Sequence, residues 1–354
     1  MRTKIIFTTI LFNLVTISTC AYDFKQNGFY YNVNFTDMTA IVTFGEDDYK
    51  GKVTIPSSVT FNSKVLKVTE IGDGAFRNCE RLTTLNIPYT ILIVGRGACA
   101  GCTALRAVYM EDGVEIIKDA AFKNCFSLKE LTLSNKLKEI GTQSFYGTLL
   151  PELKIPSSVV TIQREAFRCL DQRNMSLGPT SIKIEDSSEK LTIMSMGLGG
   201  SIGKKVLYLG RDIEMTDDFF SPAFSTTKQF EELEKLTIGN QVTDITELFH
   251  MSNCIKEICI LNPSPISISN NCFVNSVYAG SILYVPDTSI ADYQQEPGWN
   301  RFFNIQPLSN SSIKEISIPS KEIDIIYSLG GIERKLLKKG INIINKRLLF
   351  IKDK

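Results

Sequence analysis

The chain has 354 residues, with 39 basic and 38 acidic side chains and a net charge of +1. That balance gives no general electrostatic case for nucleic acid, and a single histidine, His250, excludes a zinc site built from several histidines. After the amino-terminal leader no stretch is long and apolar enough to span a bilayer.

The first residues, Met1-Arg2-Thr3-Lys4, are a short basic start. An interrupted apolar run follows from Ile5 to Ile17, then the small-residue exit Ser18-Thr19-Cys20-Ala21. This pattern predicts a secretory signal peptide over residues 1–21, too short for a membrane span, with cleavage after Cys20 or Ala21. A lipid anchor on Cys20 is the rival reading, because Ile17-Ser18-Thr19-Cys20 partly matches a lipobox, although Thr19 is a poor residue before the cysteine. Residues 22–66 read as an amino-terminal capping segment. Within it, Val53-Thr-Ile55-Pro56-Ser-Ser-Val59 parallels Ile155-Pro156-Ser-Ser-Val159 and marks an early coil.

From residue 67 to residue 170 one unit repeats. Phe76, Cys99, Phe122, Phe145 and Phe167 fall at intervals of 23, 23, 23 and 22 residues. Ile71, Val94, Ile117, Ile140 and Ile162 keep that register, as do Ala75, Ala98, Ala121, Ser144 and Ala166. A fixed period in this range marks a stacked solenoid, in which one unit cannot bury its own apolar face and its neighbours complete the core. Each unit ends in apolar–polar alternation: Leu82-Thr-Thr-Leu85-Asn-Ile87, Leu105-Arg-Ala-Val108-Tyr-Met110, Leu128-Lys-Glu-Leu131-Thr-Leu133, Leu153-Lys-Ile155. Alternation with period two predicts a strand with one buried face. The half from Ile71 to Cys79 is too short for a full helix and predicts a tight turn or helical bend.

Over 171–308 the pattern degenerates. Ser181–Ile184, Val206–Leu209, Leu233–Ile238, Ile255–Ile260 and Leu283–Val285 read as further strands, their second apolar positions 22 to 29 residues apart, for nine or ten coils in all. Residues 309–354 form a carboxy-terminal tail, locally basic at its end. The expectation is a β-rich solenoid of about 23-residue repeats, with one strand plus a short turn or helical bend per coil, in a single elongated domain.

The unit Ile-Gly-x-x-Ala-Phe-x-x-Cys-x-x-Leu-x-x-Leu-x-Ile-Pro resembles the BspA-type leucine-rich repeat family, common in exported proteins of Bacteroidetes. Leu283-Tyr284-Val285-Pro286 through Gly298-Trp299 to Phe303-Asn304-Ile305 is similar to the terminal coil of that family. Tyr327-Ser-Leu-Gly330 with Lys339-Gly340-Ile341 resembles a tail seen on many exported proteins of these bacteria. The resemblance implies a secreted or cell-surface protein that binds protein or glycan in adhesion or host contact. The alternative is a structural or assembly component of the cell envelope, with envelope or secretion-machinery contacts through the tail.

Catalytic and metal chemistry finds little purchase. Cys79, Cys102 and Cys125 share one repeat column and Cys99 stands in the Phe column, so Cys99-Ala-Gly-Cys102 follows from repeat placement and predicts buried structural thiols. His250 has no nucleophile elbow nearby. The pairs Glu46-Asp47-Asp48 and Asp217-Asp218 read as solvated loops rather than a glycosidase pair across a cleft. Gly197-Leu-Gly199-Gly200-Ser-Ile-Gly203-Lys204 lacks the phosphate-loop order and reads as a turn. The expectation is a protein without enzymatic activity, catalytic residues, metal or cofactor, taking no nucleic acid. Outward strand positions are the candidate partner-binding surface: Tyr109, Glu130, Thr132, Lys154, Lys183, Tyr208 and Tyr284. Tyrosines suit contact hot spots there, and are equally at home on any strand surface.

Overall fold

The computed structural model describes residues 22–148, 150–170, 176–200, 203–216, 230–246 and 248–311, with strand backbone at 326–327, 333–334, 340–344 and 347–351. The expected signal peptide, the Cys20 anchor and the Asp217-Asp218 pair lie outside the described residues.

The alternation predicts one strand per coil, and that strand forms in each regular unit. Gly51–Thr54, Leu82–Ile87, Ala107–Met110 and Glu130–Thr132 pair in parallel as a four-stranded sheet. Leu85 and Ile87 are buried while Thr84 and Asn86 between them are only partly covered. The structure adds a second strand per coil. The Ile71 column sits at the ends of the strand Lys64–Ile71 and of the two-residue strands Ile93–Val94, Ile116–Ile117, Glu139–Ile140 and Thr161–Ile162. These pair in parallel and continue through Leu191–Met194 to Ile213–Thr216. At the amino-terminal end, antiparallel strands Phe24–Gln26, Phe29–Asn34 and Thr39–Thr43 join this sheet and cover its first edge. An edge paired in this way is no longer open to strand addition.

The outward ribbon is not continuous. A second, seven-stranded parallel sheet begins at Glu152–Ile155 and runs through Ser181–Ile184, Val206–Leu209, Lys235–Ile238, Glu257–Ile260 and Ile282–Val285 to Asn304–Pro307. Glu130–Thr132 and Glu152–Ile155 therefore end two separate sheets. The sequence gives a reason at the seam. The amides of Lys129 and Glu130 both donate to Arg106 O, at 3.0 and 3.1 Å. One coil later the position equivalent to Lys129 is Pro151, which has no N–H to donate to a ladder.

Between the two strand columns lies the core. Phe122, Phe145 and Phe167 stack nearly parallel, with centroids 5.1 and 5.0 Å apart. Phe76 packs instead against Tyr49 of the capping segment at 4.5 Å, and the fully buried Cys99 stands between Phe76 and Phe122 in the column. Cys79, Cys99, Cys102 and Cys125 are buried free thiols. The Cys102 thiol donates to Phe76 O at 3.0 Å and that of Cys125 to Cys99 O at 3.2 Å, so each ties its coil to an earlier one.

Buried basic side chains hold turn carbonyls together in and beside the degenerate coils. Arg211 is fully buried and its guanidinium donates to Pro156 O, Ser157 O and Val159 O at 2.9, 3.0 and 2.8 Å. Its five fixed donors suit a fan of turn carbonyls. Lys204 is likewise buried and donates to the carbonyls of Gly199 and Gly200. At the far end two short helices, Asn275–Gly280 and Ile290–Gln295, flank the terminal strands. Trp299 seals that end, its indole N–H donating to Ile266 O at 2.7 Å. In the tail, Ile326–Tyr327, Glu333–Arg334, Gly340–Ile344 and Arg347–Ile351 pair antiparallel.

Candidate binding surface

Period-two alternation sends every second ribbon residue away from the core, and strand pairing lines these residues up in rows. In the first sheet Asn86, Tyr109 and Thr132 are in register. The Tyr109 hydroxyl donates to Glu130 Oε2 at 2.5 Å across the strands. Burial of the ring, and then the hydrogen bond and charge of Glu130, push the Tyr109 phenol up to about 12. Glu130 and Thr132 are exposed at the edge strand.

In the second sheet the row runs Lys154, Lys183, Tyr208, Thr237, Cys259, Tyr284, Gln306. Lys154 is exposed and pairs with Glu185 at 2.7 Å. The Lys183 ammonium lies 5.4 Å from the centre of the half-buried Tyr208 ring, a cation–π arrangement. The Tyr208 hydroxyl reaches both carboxylate oxygens of Asp186 at 3.0 Å. Burial first and Asp186 second raise the Tyr208 phenol above its ordinary value.

Past Tyr208 the row goes under cover. Thr237 is 4% exposed, Cys259 1% and Tyr284 8%. Tyr284 is thus a correction to the expected surface: it faces outward by alternation but is buried. After Asn304–Pro307 a 3-10 turn, Leu308–Asn310, follows and packs beside the strand Ile282–Val285. Ser309 N–H also donates to Asp287 Oδ1 at 3.1 Å.

The structure thus groups the expected residues into two partly exposed patches, Tyr109 with Glu130 and Thr132, and Lys154 with Lys183 and Tyr208. It removes Tyr284 from both. It also adds Phe126, 61% exposed. Phe126, Arg106, Lys129 and Glu130 line an open cavity of about 540 Å³ beside the seam. The repeat carries the signal for it: Glu80 and Thr103 are polar at this column, and Phe126 breaks the pattern.

Residues 42–174 match the BspA type leucine rich repeat region in six copies. The chain carries BspA-type leucine-rich repeats. Repeats of this type form stacked scaffolds suited to protein interaction. Among solved structures the chain is similar to a leucine-rich repeat protein from Bacteroides ovatus, with 19% identity over 81% of this chain and 89% of that one, and a TM-score of 0.42. It is also similar to the T. pallidum leucine rich repeat protein, with 21% identity over 64% of this chain and 87% of the other, TM-score 0.42. A leucine-rich repeat protein from Bacteroides capillosus is 27% identical over 38% of this chain and 83% of its own, TM-score 0.30. No curated protein matches the chain.

Among the described residues no three His, Cys, Asp or Glu side chains gather as a metal site, and no helix is long and apolar enough to cross a membrane. Lys204, the lysine of the glycine-rich segment, is buried on turn carbonyls rather than turned to a phosphate.

Proposed function

We propose that this protein is an exported, cell-surface or secreted binding module that holds a protein ligand on its outward ribbon, in adhesion or host contact, and has no enzymatic role. The observation that carries the reading is the patch at the seam. There an exposed aromatic ring, Phe126, adjoins the Tyr109–Glu130 pair and the cations Arg106 and Lys129. Exposed aromatic and arginine side chains around a shallow cavity are the residue types that dominate interface energetics. The Lys154–Lys183–Tyr208 patch extends the same face on the second sheet. Export rests on the leader of residues 1–21, with a lipid anchor at Cys20 as the alternative form of surface attachment.

The test is binding of the chain from Tyr22 to Lys354 to a panel of matrix proteins and mucins, with Tyr109→Ala, Phe126→Ala and Tyr208→Ala as surface variants. A saturable interaction weakened at least about tenfold by Phe126→Ala or Tyr109→Ala is expected, since such anchors carry most of the energy of an interface. Binding untouched by all three changes but lost on removing 309–354 would assign the protein to envelope assembly through its tail.

A further inference from the structure

Away from the ribbon strands, the turn segments 73–79, 96–101 and 120–124 and the capping loop 44–49 line a groove that the ribbon reading does not use. It arises where one coil has almost no side chains. Gly95, Gly97, Ala98, Cys99, Ala100 and Gly101 succeed one another with only Arg96 interrupting, whereas the coils on either side carry Phe76 with Arg77 and Phe122 with Lys123. In the column two residues before the Asn78 and Asn124 neighbours' cysteines, the succession is Arg77, Ala100, Lys123, Tyr146 and Arg168, and Ala100 is the one small member. The missing volume is a half-open cavity of about 910 Å³ floored by Gly97, Ala100 and Gly101. That volume is in the range of small-molecule sites. The Asn78 side chain lies against the floor, since a Cβ built on Gly101 would sit 2.3 Å from Asn78 Oδ1.

The walls of the groove differ in charge. Arg77, Arg96 and Lys123 bring three cations from the repeat side. Asp47 and Asp48 bring two carboxylates from the capping segment, and Asp73 of the first repeat adds a third. Asp47 is engaged by Lys25 at 2.8 Å and by the Tyr30 hydroxyl at 2.9 Å. Asp73 accepts the Arg96 backbone N–H at 2.6 Å, and Lys123 donates to Gln143 Oε1 at 2.7 Å. Phe44 stands at the rim, 52% exposed. The floor offers no spare backbone donors: Gly97 N–H goes to Asp119 O at 2.9 Å, Ala100 N–H to Gly97 O at 3.0 Å and Gly101 N–H to Lys123 O at 2.8 Å. A ligand is therefore met by side chains.

Three requirements follow for that ligand. It needs an anionic group for the guanidinium and ammonium donors, which bind carboxylates by charge-assisted hydrogen bonds. It needs hydroxyl or amide donors for the carboxylates, which only accept when ionised. It needs an apolar face to lie on the Phe44 ring. A bare phosphate or sulfate meets three carboxylates with no donor to give them, and a neutral sugar leaves the cations unanswered. We propose that this groove binds an acidic sugar, with its carboxylate on the Arg77–Lys123 side, hydroxyls toward Asp48 and Asp73, and the C–H face of the ring on Phe44.

Uronic and sialic acids share this chemistry, so the experiment uses both. The full chain is titrated calorimetrically with tetragalacturonate, with sialyllactose and with the neutral maltotetraose. Ala100→Tyr fills the groove with a side chain that the same repeat column carries two coils later, at Tyr146. Arg77→Ala removes one cation from an exposed position, and Tyr208→Ala on the ribbon is the control. At least one acidic sugar is expected to bind, maltotetraose at least about tenfold more weakly. Ala100→Tyr and Arg77→Ala should each weaken the acidic sugar by about tenfold or more, with Tyr208→Ala unchanged. Which acidic sugar binds identifies the class. Failure of both to bind folded protein overturns the proposal, as does equal binding of maltotetraose or indifference to Ala100→Tyr. A loss confined to Tyr208→Ala would move the sugar to the ribbon and likewise overturn it.

Discussion

Tyr109 shows how the outward surface is tuned one residue at a time. Its ring is partly covered by the strand row, and its hydroxyl is held by Glu130 at 2.5 Å. Both effects favour the protonated phenol, so its pKa is raised to about 12. A group whose folded pKa is raised contributes stability that is present below its unfolded value and is lost as pH rises through the folded value. For Tyr109 that window runs from about 10, the ordinary tyrosine value, to about 12. In a phenolate absorbance titration against Tyr109→Phe, the Tyr109 component should appear near pH 12, and Glu130→Gln should bring it down. A Tyr109 phenol titrating near its ordinary value in the unmodified chain would contradict the cross-strand bond. Single residues were legible in the sequence to differing degrees. Tyr109 and Tyr208 follow from alternation alone. Phe126 is legible only when its column is compared with Glu80 and Thr103. The burial of Tyr284 is not legible, because alternation alone turns it outward while the folded chain buries it.

Among the elements, the strand of each coil was legible because four to six residues of alternation establish a period. Its partner was not, since a two-residue strand such as Ile93–Val94 or Ile116–Ile117 is too short to show one. What makes those short strands possible is close approach of successive coils. A Cβ on Gly95 would stand 2.7 Å from Asp73 N, Gly72 C and Ile71 O, all of them backbone atoms. Gly95→Ala must therefore push two coils apart and should destabilise by roughly 1–3 kcal/mol, the cost of overpacking. Gly280→Ala is the control, because no atom lies within 4 Å of its added Cβ. Urea unfolding should show a lowered midpoint for the first and little change for the second. Equal midpoints would mean that the coils do not stack this closely. The seam belongs to the same scale. The shortened interval and Pro151 stand in the sequence, but their effect on pairing shows only once the Lys129 and Glu130 amides are seen converging on Arg106 O.

For the whole molecule, one sheet runs unbroken from the capping segment to Ile213–Thr216 while the outward ribbon is divided at residues 130–152. The unbroken sheet gives the coils up to residue 216 a common spine. The division leaves Phe126, Tyr109 and Glu130 beside a shallow cavity, and the covered strands from Thr237 to Tyr284 confine the usable face to the coils before them. Solenoids use such extended faces for binding. The most direct test of this placement is a hydrogen-exchange footprint of the full chain saturated with the tightest-binding matrix protein or mucin of the panel. Protection is expected in 107–110, 126–132, 181–184 and 206–209, with 236–238 and 258–260 unchanged because they are already covered. Protection confined to residues 22–66 or to the tail after residue 311, with the ribbon strands unaltered, would contradict a ligand held on the outward face.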